Sequence, residues 1–159
     1  MVAAGAGTRV AVALGSNLGD RERTLREAVA ALSVHLHAVR VSAFYDTAPI
    51  GLTDQPRFLN AAATGVTTLV PRALLDALLD VERRFGRVRS TPNAPRTLDL
   101  DLILYGDLAI DEPDIVVPHP RFRERQFVLE PLAELAADWT DPVTGLSVGA
   151  LRAKLGANR

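Results

Sequence analysis

Hydrophobic positions recur along this chain with two periods, one typical of helices and one typical of strands. Apolar residues return every three or four positions over 25–36 and again over 74–85, which predicts two amphipathic helices. Asp20 is suited to cap the first helix and Pro71 to open the second. Around these helices lie apolar or alternating runs of strand length. The runs predict strands at residues 9–14, 39–47, 58–69 and 98–104.

The order of these elements is strand, helix, strand, strand, helix, strand. The loop between the second and third strands is too short for a crossover helix, so the pattern is a split βαβ unit. We expect an α+β fold with a ferredoxin-like βαββαβ core, a mainly antiparallel sheet and both helices on one face. The other face is expected to be open and covered by loops. Beyond the core, the sequence predicts a hairpin turn at Gly106 and Asp107 into a strand at 108–110, and short helices at 131–136 and 147–155.

The strand at 98–104 carries leucines at one set of alternate positions and aspartates at the other. Asp99 and Asp101 therefore share a face, roughly 6–7 Å apart at Cα. Two short carboxylates at that spacing can bind a common pair of cations, and Mg²⁺ prefers carboxylates completed by water and substrate phosphates. The pattern indicates a site for two Mg²⁺ ions. A solvated acidic face on an edge strand is the alternative interpretation.

Arginines are concentrated just before this strand, although the whole chain has a formal net charge of only −1. A guanidinium donates two parallel hydrogen bonds to a phosphate, so arginine is favoured where phosphates are held. Those in the last turn of the second helix also offset the helix dipole. A general preference for arginine is the alternative explanation, because the chain has a single lysine, Lys154. The arginines of this stretch are Arg83, Arg84, Arg87, Arg89 and Arg96.

Composition narrows the class of protein. The 159 residues have the length of one domain, residues 1–159, which can bury a core without cross-links. The chain has no cysteine, export signal or long apolar run, which favours a cytoplasmic protein that binds no membrane. Near-neutral charge and 5% aromatic residues argue against nucleic acid as a partner. We expect a monomer that acts on small molecules.

Five short blocks follow one another along the chain: GSNLG at 15–19, FYDTAPIG at 44–51, DQPRFLNA at 54–61, PRTLDLD at 95–101 and VPHP at 117–120. Together they closely resemble the 6-hydroxymethyl-7,8-dihydropterin pyrophosphokinase family of folate biosynthesis, over residues 9 to about 136. The resemblance implies one pyrophosphokinase domain that transfers pyrophosphate from MgATP to the hydroxymethyl group of the pterin. It also implies that AMP leaves and that two Mg²⁺ ions bind together with ATP.

The resemblance implies roles for individual residues as well. Asp99 and Asp101 are the expected metal ligands and, with Arg87 and Arg96, the expected catalytic residues. Residues expected to bind ATP are Glu82, Arg87, Arg89, Arg96, Thr97, His119 and Arg125. Residues expected to bind the pterin are Thr47, Ala48, Ile50, Phe58, Asn60, Asp99 and Phe127.

Some of these positions depart from the family's usual residues. Ala48 stands where proline is frequent, and Phe58 stands where tyrosine is frequent. The loop at 87–95 lacks a tryptophan that many relatives carry.

Two other functions stay open on the sequence alone. The same carboxylates would suit a metal-dependent phosphohydrolase, and the altered loop at 87–95 is compatible with a pterin- and nucleotide-binding module that has lost catalysis. The nucleotide product separates these functions, because pyrophosphoryl transfer to a pterin yields AMP.

Overall fold

The computed structural model describes residues 7–47, 56–85 and 97–157. No helix in these ranges is long and apolar enough to cross a membrane. The strands are β1 (Thr8–Ser16), β2 (His37–Val41), β3 (Tyr45–Thr47), β4 (Phe58–Thr67), β5 (Asp99–Tyr105), β6 (Ile110–Glu112) and β7 (Ile115–Val117). The α-helices are α1 (Arg21–Leu32), α2 (Pro71–Arg84), α3 (Gln126–Ala136) and α4 (Val148–Ala157).

The main sheet is antiparallel, and its strands lie in the order β2, β4, β1, β5, with β3 also paired to β4. This order confirms the predicted α+β fold with a ferredoxin-like core. The single strand predicted at 39–47 is divided into β2 and β3. Between them the Ser42 hydroxyl accepts a hydrogen bond from the backbone N–H of Ala62 at 2.9 Å, so a side chain interrupts the ladder there.

Helices α1 and α2 pack on one face of the sheet, as predicted. The Asp20 carboxylate caps α1 by accepting a hydrogen bond from the N–H of Arg23 at 3.1 Å. Pro71 lies in the first turn of α2, where an N–H has no partner within the helix. Apolar side chains fill the space between these helices and the sheet. Fully buried members of this core are Val10, Val12, Leu25, Leu32, Leu74, Leu78, Val81 and Leu98.

The opposite face is covered by α3, with α4 packed against α3. The prediction of an open face covered by loops is therefore wrong. A register shift between β1 and β5 is one reason why a helix can pack on this face. The shift turns two consecutive residues of β5, Ile103 and Leu104, toward it and so enlarges its apolar surface. Alanines at 11, 13 and 62 also leave room for a helix to lie close to the strands.

Helix α3 begins at Gln126, earlier than the predicted 131–136, because Val128 and Leu129 also pack on the sheet. The part of this face next to the two aspartates of β5 borders a cavity, and this cavity becomes the candidate site.

The turn at Gly106 and Asp107 does not form the predicted hairpin with β5. The strand after it, β6, starts at Ile110 instead of at 108 and forms a hairpin with β7. The turn at Gly106 is held by its N–H, which donates to the carbonyl of Arg9 at 2.7 Å, and by its positive φ of 53°. Arg72 at the start of α2 pairs with Glu112 and Asp114, which fastens the hairpin to that helix.

Candidate active site

Strand β5 presents its two aspartates to a cavity at one end of the sheet. Leu98 and Leu100 are buried against the α1–α2 core, so alternation turns Asp99 and Asp101 to the opposite face. Both aspartates border the cavity. In the antiparallel pairing of β5 with β1, Asp99 lies opposite Gly15 and Asp101 lies opposite Ala13. Two carboxylates thus face one cavity from the edge strand of the sheet, which is paired to β1.

The cavity has a volume of about 240 Å³. Its walls come from the ends of β1, β3, β4 and β5 and from the segment that leads into α3. A site built mainly on paired strands holds its side chains more firmly than one built on loops. Seven residues predicted from the sequence border it: Thr47, Phe58, Asn60, Asp99, Asp101, Arg125 and Phe127.

One end of the cavity combines an amide, a hydroxyl and two aromatic rings. Asn60 is only 5% exposed and donates from Nδ2 to the Thr47 hydroxyl at 2.5 Å. Thr47 pairs with Phe58 across β3 and β4, so both are placed by the ladder. Phe127, on α3, borders the same volume. Aromatic rings stack on flat heterocycles, while an amide can match a paired donor and acceptor.

Positive charge comes from the segment before α3. Arg121 and Arg125 both border the cavity, and the Arg125 guanidinium lies 5.6 Å from the centre of the Phe127 ring. Glu124 also borders it, with its carboxylate 3.7 Å from Nε of Arg121. Arg121 and Glu124 are not among the residues predicted from the sequence to belong to the site. Their place in a basic run directly after the VPHP block was the available signal.

Comparison with known proteins fits this geometry. The sequence pattern of the 7,8-dihydro-6-hydroxymethylpterin-pyrophosphokinase (HPPK) family matches residues 11–137. The chain belongs to the HPPK family. This assignment confirms the predicted resemblance to that family.

Relatives of this HPPK chain include free-standing and longer proteins. It is 47% identical over 126 residues to the 2-amino-4-hydroxy-6-hydroxymethyldihydropteridine pyrophosphokinase of Bacillus subtilis, covering 78% of this chain and 75% of that protein. It is 45% identical over 133 residues to a mitochondrial folate synthesis bifunctional protein of Arabidopsis thaliana, covering 83% of this chain. The chain spans only about a quarter of that longer protein, 24%.

A solved structure shares the HPPK fold seen here. Wild-type HPPK-DHPS from Plasmodium falciparum superimposes with a TM-score of 0.73 at 13% identity, over 96% of this chain and 45% of that one. At this level of identity the likeness concerns the fold alone. The shared fold agrees with the antiparallel sheet and the packed helices described above.

His119, predicted from the HPPK resemblance to contact ATP, lies beside the cavity's charged residues. Burial is the main cause that lowers the pKa of His119 to about 4, and the positive charge of Arg125 lowers this pKa further, against the opposing charge of Asp99. The imidazole is therefore neutral near pH 7. Its Nδ1 accepts a hydrogen bond from the N–H of Arg121 at 3.2 Å, so Nε2 carries the proton.

Two other residues predicted to bind ATP do not border this cavity. Glu82 is 1% exposed on α2, and its carboxylate accepts a hydrogen bond from the N–H of Leu100 at 2.6 Å. It supports β5 from the side opposite to the aspartates. Thr97 is half-buried just before β5. Their roles toward ATP stay predictions. The expected ATP contacts of Arg87, Arg89 and Arg96 and the expected pterin contacts of Ala48 and Ile50 also stay predictions, because these residues lie outside the described ranges.

The absence of a side chain at Gly15 makes room for the amide end of the HPPK cavity. A Cβ there would lie 2.9 Å from Oδ1 of Asn60 and 3.6 Å from Cδ1 of Phe58. We expect Gly15→Ala to displace Asn60 and to raise the KM for the pterin by about tenfold, with a smaller change for ATP. Steady-state kinetics with each substrate varied in turn measures both values.

Gly156→Ala is the matched control for Gly15→Ala, because a Cβ at position 156 meets nothing within 4 Å. Equal loss of affinity for both substrates in Gly15→Ala would contradict this account of the amide end.

Proposed function

We propose that this chain transfers the terminal pyrophosphoryl group of MgATP to the hydroxymethyl oxygen of 6-hydroxymethyl-7,8-dihydropterin. The new bond joins that oxygen to the β-phosphorus, the bond from the β-phosphorus to the α–β bridging oxygen breaks, and AMP leaves. The observation that carries the proposal is one cavity bordered by two phenylalanine rings, an amide, three carboxylates and two arginines.

The pterin is assigned to the end of the cavity with Asn60, Thr47 and the two phenylalanines. Asn60 is nearly buried and tied to Thr47, so its amide keeps one orientation. A fixed amide discriminates strongly between the pterin and its analogues. An analogue without the matching donor or acceptor leaves buried polar groups of the site unpaired. Phe58 and Phe127 are suited to stack on the flat faces of the heterocycle.

Asp99 and Asp101 are the residues that would hold Mg²⁺. Both are hard oxygen donors that face the same cavity, which fits a cation that prefers oxygen ligands and shares its shell with phosphates. When bound, Mg²⁺ neutralises negative charge on the phosphates of ATP. Two Mg²⁺ ions are part of this proposal, on the basis of the resemblance to the family.

Arg121, Arg125 and His119 are placed to bind the phosphates of ATP. The two guanidinium groups can donate parallel hydrogen bonds to phosphate oxygens, and the neutral His119 can donate one from Nε2. Arg87, Arg89 and Arg96 are assigned the same role from the family resemblance. These groups act by positioning and by stabilising charge, and the proposal needs no covalent intermediate.

The proposal also takes the chain to act as a monomer.

The nucleotide product tests this function. Purified protein is incubated with MgATP and 6-hydroxymethyl-7,8-dihydropterin, and the nucleotides are separated by chromatography. We expect AMP and pterin diphosphate in equal amounts, with no AMP when the pterin is omitted. ADP would indicate an ordinary kinase, pterin-independent phosphate release would indicate a phosphohydrolase, and pterin binding without turnover would indicate a binding module.

A further inference from the structure

Three charged side chains form a cluster outside the cavity, at the start of α1 and beside the junction of β3 and β4. We call Arg21, Asp46 and Arg57 the Asp46 cluster. Nε of Arg57 donates to one oxygen of Asp46 at 2.7 Å, and NH2 of Arg21 donates to the other oxygen at 3.3 Å. The guanidinium groups also bind the backbone. Arg21 donates to the carbonyl of Arg57 at 2.8 Å, and Arg57 donates to the carbonyl of Asp46 at 3.3 Å.

The cluster joins three separate segments of the chain. Arg21 begins α1, Asp46 lies in β3, and Arg57 lies directly before β4. A further hydrogen bond runs beside it, from Nδ2 of Asn17 to the carbonyl of Pro56 at 3.2 Å. All of these contacts therefore converge where β3 ends and β4 begins.

Asp46 and Arg57 are each next in sequence to a residue that is assigned to bind the pterin. Asp46 directly precedes Thr47, and Arg57 directly precedes Phe58. Thr47 and Phe58 pair across the two strands. Strand β3 has only three residues, so few ladder hydrogen bonds fix it to β4. The contacts of Arg57 with Asp46 and the hydrogen bond from Asn60 to Thr47 add to this connection.

The cluster adds little to the stability of the fold. The side chains of Arg21, Asp46 and Arg57 are 29%, 49% and 57% exposed, and ion pairs this exposed contribute little to the free energy of unfolding. Hydrogen bonding from Arg57 is the main cause that lowers the pKa of Asp46, so the carboxylate is charged near pH 7. We therefore attribute to this carboxylate and its two guanidinium partners a role in fixing the relative positions of β3 and β4, and not a role in stabilising the fold.

We infer that Asp46 and Arg57 are positioning residues for the pterin, because together they fix the spacing of Thr47 and Phe58 at the end of β3. The inference rests on the proposed function, since it takes these two neighbours as pterin contacts. We expect the ion pair to act on the pterin and to leave ATP binding nearly unchanged, because Arg21, Asp46 and Arg57 are not among the residues that border the cavity with the two aspartates and with Arg121 and Arg125.

Charge reversal tests this inference. Asp46→Arg and Arg57→Asp are made singly and together, and KM for pterin and ATP is measured, with the pterin Kd from calorimetry as a second readout. We expect each single variant to weaken pterin binding by about tenfold and the double variant to return within about threefold of wild type. The restored pair is feasible because Arg21 already reaches the backbone at 57. The kcat at saturating pterin and the KM for ATP should change by less than about twofold.

Glu27→Arg is the matched control. Glu27 forms an equally exposed pair with Arg23 on α1, at 3.3 Å, and has no part in the cavity. We expect its reversal to leave pterin binding unchanged. Pterin affinity that is unaltered in both single variants, or is not restored in the double variant, would overturn the inference.

Failure of the inference is distinguishable from failure of the proposed function. A wild-type protein that binds pterin but forms no AMP would overturn the proposed function, while the Kd values would still decide the inference. A wild-type protein that binds no pterin would overturn both.

Discussion

Replacing Asp99 or Asp101 by alanine is expected to lower turnover by at least about 1,000-fold while the protein stays folded. Each carboxylate is assigned to hold Mg²⁺ on the phosphates, and a bound metal contributes several kcal/mol of transition-state stabilisation, which corresponds to about three powers of ten in rate. Both aspartates are half-buried and face the cavity, so their removal leaves the packed leucines of β5 in place. Rates of AMP formation and circular dichroism measure the two effects.

Asp107→Ala is the control for these variants. Asp107 is exposed in the turn that follows the same strand, so its loss removes an equal charge without touching the cavity. We expect wild-type turnover from it. Unfolding of both Asp99→Ala and Asp101→Ala would mean that the aspartates are structural, and near-normal turnover would mean that they bind no essential metal.

Substitution of Asp141 is expected to have the largest effect on the stability of the fold. The Asp141 side chain lies before α4 in the sequence and is fully buried. The carboxylate accepts hydrogen bonds from Nε of Arg123 at 2.5 Å, from the Thr144 hydroxyl at 2.7 Å and from the N–H of Val143 at 3.0 Å. Arg123 belongs to the 3-10 turn that adjoins Arg121 and Arg125 at the cavity. Asp141→Asn should lower the free energy of unfolding by about 3 kcal/mol, because it leaves a largely buried guanidinium without its counter-ion.

The pH dependence of this effect follows from the pKa of Asp141. Burial alone would raise this pKa, but hydrogen bonds from Arg123, Thr144 and Val143 outweigh it and hold the pKa at about 2, below the ordinary 3.8. The group therefore contributes its full stability above pH about 4, and this stability is lost as the pH falls toward 2. Thermal unfolding from pH 7 to pH 2 measures the loss.

In wild type the melting temperature should exceed that of Asp141→Asn by about 6–12 °C near pH 7, and the difference should shrink below pH about 4. Exposed Asp138→Asn serves as the control and should match wild type. A difference that stays constant down to pH 2 would contradict the role of the charged carboxylate.

The elements that could be predicted from the sequence are those specified by local pattern. Alternation in β5 is enough to place Asp99 and Asp101 on one face, because side chains on a strand alternate whatever the strand packs against. The cap at Asp20 and the proline at 71 mark the starts of α1 and α2 for equally local reasons. The order of these elements then leads to the split βαβ core.

The covering of the second face could not be predicted, because it depends on contacts between residues distant in the chain. Helix α3 lies over β1 and β4, and the register shift beside Ala11 becomes visible only when the strands are paired. For the same reason Arg121 and Glu124 were not assigned to the cavity. The basic run after the VPHP block marks this segment as a candidate, but local pattern alone does not show which of its side chains face the cavity.

Glu82 illustrates a further limit of the sequence. A glutamate on an amphipathic helix is usually exposed, and nothing local to α2 indicates that this carboxylate is buried beneath β5. Its hydrogen bond to the N–H of Leu100 exists because α2 packs across the strand that carries the aspartates. The same packing makes Glu82 a support for the strand that carries the two aspartates.

The central claim is that two aspartates at alternate positions of β5 hold the metal ions to which ATP binds. Crystals grown with Mn²⁺, the pterin and an ATP analogue with a methylene group between its α- and β-phosphorus atoms test it by anomalous diffraction. The account predicts two anomalous peaks, each within about 2.3 Å of an oxygen of Asp99 or Asp101 and of phosphate oxygens. Metal peaks on the phosphates with both aspartates turned away would contradict it.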